Sequence, residues 1–177
     1  MRTIDTTSAS SPLVAIAKLP WERAVAVFSR IPHSAIALLA RFSVAMTFWM
    51  SGQTKIEGLV LDPIGRTVEF GWPRVSEGAV ELFRSEYALP LVAPDIAALA
   101  AALAEHLFPL LLLVGLASRL SASALLVMTL VIQIFVYPSA FATHGLWAAS
   151  MIYLMAKGPG VVSLDHLIAC RARNRDA

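Results

Sequence analysis

The chain has 177 residues, 58% of them hydrophobic and 15% charged, with a formal net charge of +2 and a mean hydropathy of +0.71. A soluble domain carries nearer ~25% charged residues, so the composition points to a one-domain membrane protein. The small charge, without any Lys/Arg run interleaved with aromatics, excludes nucleic acid as a partner. The lone Cys170 excludes an intrachain disulfide or a thiolate metal cluster.

Residues 1–32 read as a cytoplasmic amphipathic arm. Leu13, Val14, Ile16, Trp21, Val25 and Phe28 alternate with Lys18, Arg23 and Arg30, and Pro20 breaks the run. No cleaved signal peptide is expected, because the first apolar run begins only near residue 33 and contains Arg41. From there to 157 the fold class is all-α, an integral membrane four-helix bundle. A hydrocarbon core needs about 20 apolar residues per helix, and four segments qualify: about 33–52, 95–117, 120–138 and 140–157. Pro32 suits a first helical turn and Asp95 an N-cap, while Pro138 and Gly158 follow the last two spans as stops.

Between the first two spans lies an outer segment, 53–94. Asp62-Pro63, Gly65, Gly71 and Trp72-Pro73 suggest a turn or short hairpin, and 76–88 a short helix with Val80, Phe83 and Tyr87 on one face. The tail, 158–177, is expected to be cytoplasmic, with Ser163 capping a short amphipathic surface helix through Leu164, Leu167 and Ile168. With both termini inside, nine Lys/Arg residues fall in inner segments and four in outer ones. That bias follows the positive-inside rule.

Two charges stand inside the spans. Arg41 and Glu105 lie at similar depth if the two helices share an outer boundary, about 15 Å below it at 1.5 Å per residue. Ala37 and Ala45 flank Arg41, and Ala98, Ala101 and Ala102 share the Glu105 face. Small residues let helices approach in lipid, so the two are expected to form a buried pair. That pair is either a structural register pin or the centre of a functional site. Pro109 cannot donate to the Glu105 carbonyl, so a kink is expected beside His106.

A second polar layer is expected near the outer surface: Trp49, Gln53 and Lys55 after span one, Gln133 and Tyr137 on span three, His144 and Trp147 on span four. With His106, these are the candidate ligand contacts. Interfacial aromatics are ordinary, but an amide and an imidazole in apolar runs need partners. An apolar pocket with amide, imidazole and phenol donors would suit a quinone carbonyl; the same groups could simply close the helices off. Met46, Met50, Met128, Met151 and Met155 are soft enough for Cu(I). Lacking His or Cys at tight spacing, they read as core filler, and no metal site is assigned. No catalytic motif is present, so no catalytic residue is assigned.

Arg41 with Gly52 and Lys55, then Glu105 with a leucine run to Gly115 and Arg119, resembles the paired signatures of the DoxX family of bacterial four-helix membrane proteins. Gly158-Pro159-Gly160 and Ser163-Leu164-Asp165 resemble its usual ending. Leu107, Phe108 and Pro109 stand where many members carry small glycines, which implies a differently shaped pocket. The resemblance spans about 33–168 and implies a bacterial inner (plasma) membrane protein. Some members serve a thiosulfate:quinone oxidoreductase or thiol and oxidative-stress complexes, and some accompany copper-handling systems. Three roles follow for the chain in its lipid bilayer. One is a quinone-facing subunit of a partner oxidoreductase. The others are a non-enzymatic scaffold and, in a homo-oligomer, a path for a small solute, proton or metal ion.

Overall fold

A computed structural model of the chain describes residues 21–175. The chain divides into two compact units between Pro32 and His33. In the first, 21–28 is helical and exposes Trp21, Val25 and Phe28. The part of the expected arm before Trp21 lies outside the described residues.

The second unit opens with α1, His33–Gln53. Two strands follow, β1 (Ile56–Asp62) and β2 (Thr67–Val75). They pair antiparallel from Ile56 opposite Val75 to Asp62 opposite Thr67, with a register shift between Glu57 and Leu59. The turn is held by Asp62 Oδ1, which accepts from the amides of Ile64 and Gly65 at 2.9 and 2.8 Å. An all-α chain is therefore not what forms. The segment makes a hairpin because apolar and β-branched runs, 59–61 and 67–70, flank the Asp62–Gly65 turn on either side.

Ser76 caps α2, Glu77–Leu82, accepting from the amide of Ala79 at 3.1 Å. A π-helical turn, Phe83–Tyr87, continues it and ends at Ala88 in the left-handed region. Phe83 packs on Ala97 and Ala98 with Val80 and Tyr87 around it, so the face expected for 76–88 forms.

The next helix, α3, spans Pro94–Val114. Its cap residue is Ala93 with Pro94 in the first turn, not Asp95 as cap; a proline there gives up an amide that no helical carbonyl would have used. α3 continues through Pro109 and stops at Gly115, φ 73°, earlier than the expected 117. α4, Ser118–Val131, follows at once and runs into a π-helical turn, Ile132–Val136. Its buried Ser121 and Thr129 donate to the carbonyls of Ala117 and Leu125, four residues back, which hides hydroxyls in an apolar setting. α5 is Phe141–Lys157, ended by Gly158. α6, Leu164–Arg173, is capped by Ser163, which accepts from the amide of His166.

α1 packs on α3, α3 on α4, α4 on α5, and α5 back on α1. Ala37, Val44, Phe48, Leu112, Ala122, Leu125, Met151 and Leu154 form the core between them, with Met128 and Met155 against it. Outside it the helices expose apolar residues such as Leu39, Leu103, Leu120 and Leu146, as a lipid-facing surface would. Among the described residues three helices are long and apolar enough to cross a membrane: His33–Gln53, Pro94–Val114 and Ser118–Val136. α5, with 17 residues, is shorter than the ~20 a bilayer core needs. α5 nonetheless occupies the place of the expected fourth span, 140–157.

Candidate functional site

Arg41 and Glu105 are each 2% exposed, but they do not meet. The relative level of α1 and α3 explains why. A side chain at Gly52 would run into His106 and Glu105, with its Cβ 2.8 Å from His106 Cε1 and 3.0 Å from Glu105 Cβ; one at Gly115 would lie 2.7 Å from Arg41 Nη2. Gly52 is thus level with Glu105 and Gly115 with Arg41. The two charges are separated by about ten residues of rise, about 15 Å. The expected pair assumed that both helices ended at one outer boundary. In fact the first turns of α3 rise beyond α1 to carry the α2 layer.

Arg41 is held by oxygens of the backbone. Nε donates to the Leu112 carbonyl at 2.7 Å and Nη2 to that of Leu113 at 2.6 Å. Nη1 donates to Pro159 at 3.2 Å and Val162 at 2.6 Å. The last carbonyls of α3 are short of helical donors, that of Leu112 accepting only from the Gly115 amide at 3.2 Å, and they carry the negative end of the helix dipole. Arg41 satisfies both needs and ties α3 to the 159–162 loop.

Glu105 pairs instead with Lys55, Nζ to Oε2 2.7 Å, both side chains almost wholly buried. Lys55 also donates to the Ser51 hydroxyl at 3.0 Å and the Ser51 carbonyl at 3.3 Å. Ser51 in turn donates to Glu105 Oε1 at 3.3 Å. Lys55 belongs to this inner cluster, not to an outer ligand layer. Ser51 was missed by sequence reasoning; its place four residues before Lys55 was the available signal.

Beside the pair, His106 Nδ1 donates to the Ala102 carbonyl at 2.6 Å, leaving Nε2 to accept from Gln53 Nε2 at 2.9 Å. Gln53 Oε1 accepts from the amide of Leu61 at 2.6 Å, and Trp49 donates to the Leu61 carbonyl at 3.0 Å. Trp49 also lies edge-on to His106, centroids 5.0 Å apart. These three side chains fasten the hairpin to α1 and α3.

Gln133, Tyr137, His144 and Trp147 gather separately. Gln133 accepts from His144 Nδ1 at 2.7 Å and donates to the Pro138 carbonyl at 2.7 Å, closing the break between α4 and α5. His144 is 5.2 Å from the Trp147 ring, which meets Phe48 edge-on. Tyr137 donates to Glu86 and lies edge-on to Tyr87. The Glu86 bond holds the Tyr137 phenol above its usual range, and burial raises that of Tyr87. The single outer layer expected from the sequence is thus two clusters. Glu86 and Tyr87, which complete the second, went unrecognised at the end of an ordinary amphipathic face.

Between α3 and α4 lies a slot of about 320 Å³. Ala97, Ala101 and Ala104 on α3 face Ala124, Val127 and Met128 on α4, with Tyr87 towards one end and Glu105 on the floor. The alanines at one-turn spacing leave the gap, since no side chain is long enough to fill it. From Ala97 to Glu105 the floor drops about 12 Å. Glu105 accepts two hydrogen bonds inside the protein and a carboxylate can accept about four, so acceptor capacity remains. Among the described residues no three His, Cys, Asp or Glu side chains come together as a metal centre would require.

Neither the curated proteins nor the solved structures yield a match to this chain. A family model does match, over residues 36–138, from α1 through the π-helical turn after α4. The matched range holds Arg41, Gly52, Lys55, Glu105 and Gly115, the residues that set the level of α1 against α3. The Gly158–Asp165 ending lies beyond it. On that match the chain belongs to the DoxX family of membrane proteins.

Proposed function

We propose that the chain is a quinone-binding membrane subunit that serves a partner oxidoreductase. It would sit in a bacterial inner membrane as a four-helix bundle with both termini cytoplasmic, α5 completing the bundle. The slot between α3 and α4 carries the reading. Its walls are flat and apolar, its volume lies at the small end of ligand pockets, and its polar groups, Tyr87 and Glu105, stand apart along its length. The fit to a quinone ring is chemical: Tyr87 is a phenol donor for a carbonyl, and Glu105 an acceptor for the hydroxyl of the reduced form. A bound quinone would supply two-electron, two-proton redox chemistry. The chain's own residues bind and orient the ring, and Lys55 and Ser51 hold the carboxylate in place. Electrons would come from the partner, because the lining side chains carry none.

The test is lipid extraction from protein purified in mild detergent, beside Ala104→Phe, which fills the slot while leaving Lys55 and Glu105 themselves unchanged. Quinone in the native extract and its loss from a stably folded Ala104→Phe support the reading. No quinone in the native extract, or unchanged quinone in the variant, overturns it.

A second reading is a non-enzymatic membrane anchor, favoured by the partners that both buried charges find inside the protein. It expects Lys55→Met with Glu105→Met to keep partner assembly and activity in membranes. Loss of activity from a stably inserted double variant would count against it.

A further inference from the structure

At the end of the molecule remote from the hairpin, α1 and α4 begin and α5 ends around a pocket of about 320 Å³. His33, Ser34, Arg119, Lys157, Asp165 and His166 line it, with the 158–161 loop as its floor. The floor is tied down. A Cβ on Gly160 would come within 2.9 Å of Ser34 Cα, and the amide of Val161 donates to Ser34 Oγ at 3.1 Å.

The charges around it are unbalanced. Arg119 and Lys157 form no ion pair among the described residues. Asp165 is committed elsewhere: Oδ1 accepts from the amide of Ala117 at 2.8 Å and Oδ2 from that of Ser118 at 2.9 Å. Its carboxylate caps α4, and it is one acid against two cations in the lining. The first turn of α1, whose positive helix end faces this region, has no acidic residue. His33 Nδ1 is 2.8 Å from the Tyr153 hydroxyl, while its Nε2 is buried with no hydrogen-bond partner among the described residues. Two permanent cations and a helix N-terminus converge on one rigid-floored cavity.

We propose that this pocket binds a phosphate-bearing anion, with Arg119 and Lys157 as its charged contacts. Such an anion could be an anionic phospholipid headgroup or a soluble phosphate. Leu164, Leu167 and Ile168 on the adjoining α6 are exposed, which suits a lipid surface beside the pocket. This assignment is independent of the quinone reading, since the slot lies on the other side of Glu105.

The full chain in neutral detergent is titrated with phosphatidylglycerol, with phosphatidylcholine and with inorganic phosphate, reading the thermal midpoint, which rises when a ligand binds only the folded state. Phosphatidylglycerol is expected to raise it and phosphatidylcholine to leave it unchanged. Arg119→Gln and Lys157→Gln, singly and together, should each weaken the response roughly tenfold, the scale of one charge-assisted hydrogen bond. Both side chains are exposed, so these variants should melt like the native protein without ligand. A response to inorganic phosphate alone supports the pocket and assigns a soluble anion. The proposal is overturned if neither phosphatidylglycerol nor phosphate acts, or if the double variant responds like the native chain. An equal loss from Arg171→Gln with Arg173→Gln, on α6 outside the pocket, overturns it too.

Discussion

Arg41 and Glu105 lie on two helices that pack together, are buried to the same degree, and are stabilised in opposite ways. Among the described residues Arg41 has no carboxylate within ion-pair distance, and it is surrounded by four backbone carbonyls. Glu105 has a counter-ion in Lys55 and a hydroxyl in Ser51. The contrast follows from what a helix can offer. Carbonyl oxygens have two lone pairs, and those at a helix end lack helical donors. A guanidinium with five donors can therefore be dissolved in them. Mid-helix amides are all spent on the helix itself, so a mid-helix carboxylate must find side-chain donors. The cation can live without a partner ion; the anion cannot.

The comparison breaks most sharply at Arg41. Arg41→Met removes the donors of four carbonyls at once and should destabilise the protein by about 4 kcal/mol or more, measured by unfolding in detergent. Arg41→Lys should recover less than half, because an ammonium is a point donor and cannot span that fork. Full recovery by lysine would mean that charge alone matters there.

Glu105→Gln comes next. It strands a buried ammonium, for about 3–5 kcal/mol. Lys55→Met with Glu105→Met should return most of that, since replacing both members of a buried pair by apolar residues is often neutral. Arg41→Glu with Glu105→Arg should rescue neither single variant, because the two are not partners. A rescue in that exchange would restore the direct pair and refute the geometry.

Smaller effects should leave both charged regions alone. Ser76→Ala removes the α2 cap and should cost about 1 kcal/mol, with Arg41 and Glu105 variants keeping their effects on that background. The phenols give the smallest term. A raised phenol favours the protonated form in the folded state. The stability it contributes is therefore full below the ordinary value of 10.0 and lost as pH rises above it. The thermal midpoint should fall faster above pH 10 in the native chain than in Tyr87→Phe with Tyr137→Phe. Parallel curves would remove both phenols from the account.

Much of this was legible beforehand. The long apolar helices, the hairpin turn at Asp62–Gly65, the Ser163 cap and the Gly158 stop all follow from local rules that act within a few residues. Ala37, Ala45, Ala98 and Ala102 do face inwards, as small residues at one-turn spacing suggested. Gln133 and His144 were rightly suspected of needing partners and found each other. Lys55 was assigned to the wrong cluster, because a residue just past a helix end gives no sign of which way its long side chain folds back.

By itself, then, the sequence determined that the chain is a helical membrane protein with buried charges on two particular helices. Apolar run length, small-residue faces and turn residues are local properties that tertiary context does not override here. Only the tertiary structure decided the level of α1 against α3, and with it every partner in the site. Two alanine-rich faces are nearly smooth and tolerate many registers. What selects one is the close approach at Gly52 and Gly115, between residues more than fifty positions apart, and the fork of carbonyls that only a finished α3 end can present to Arg41.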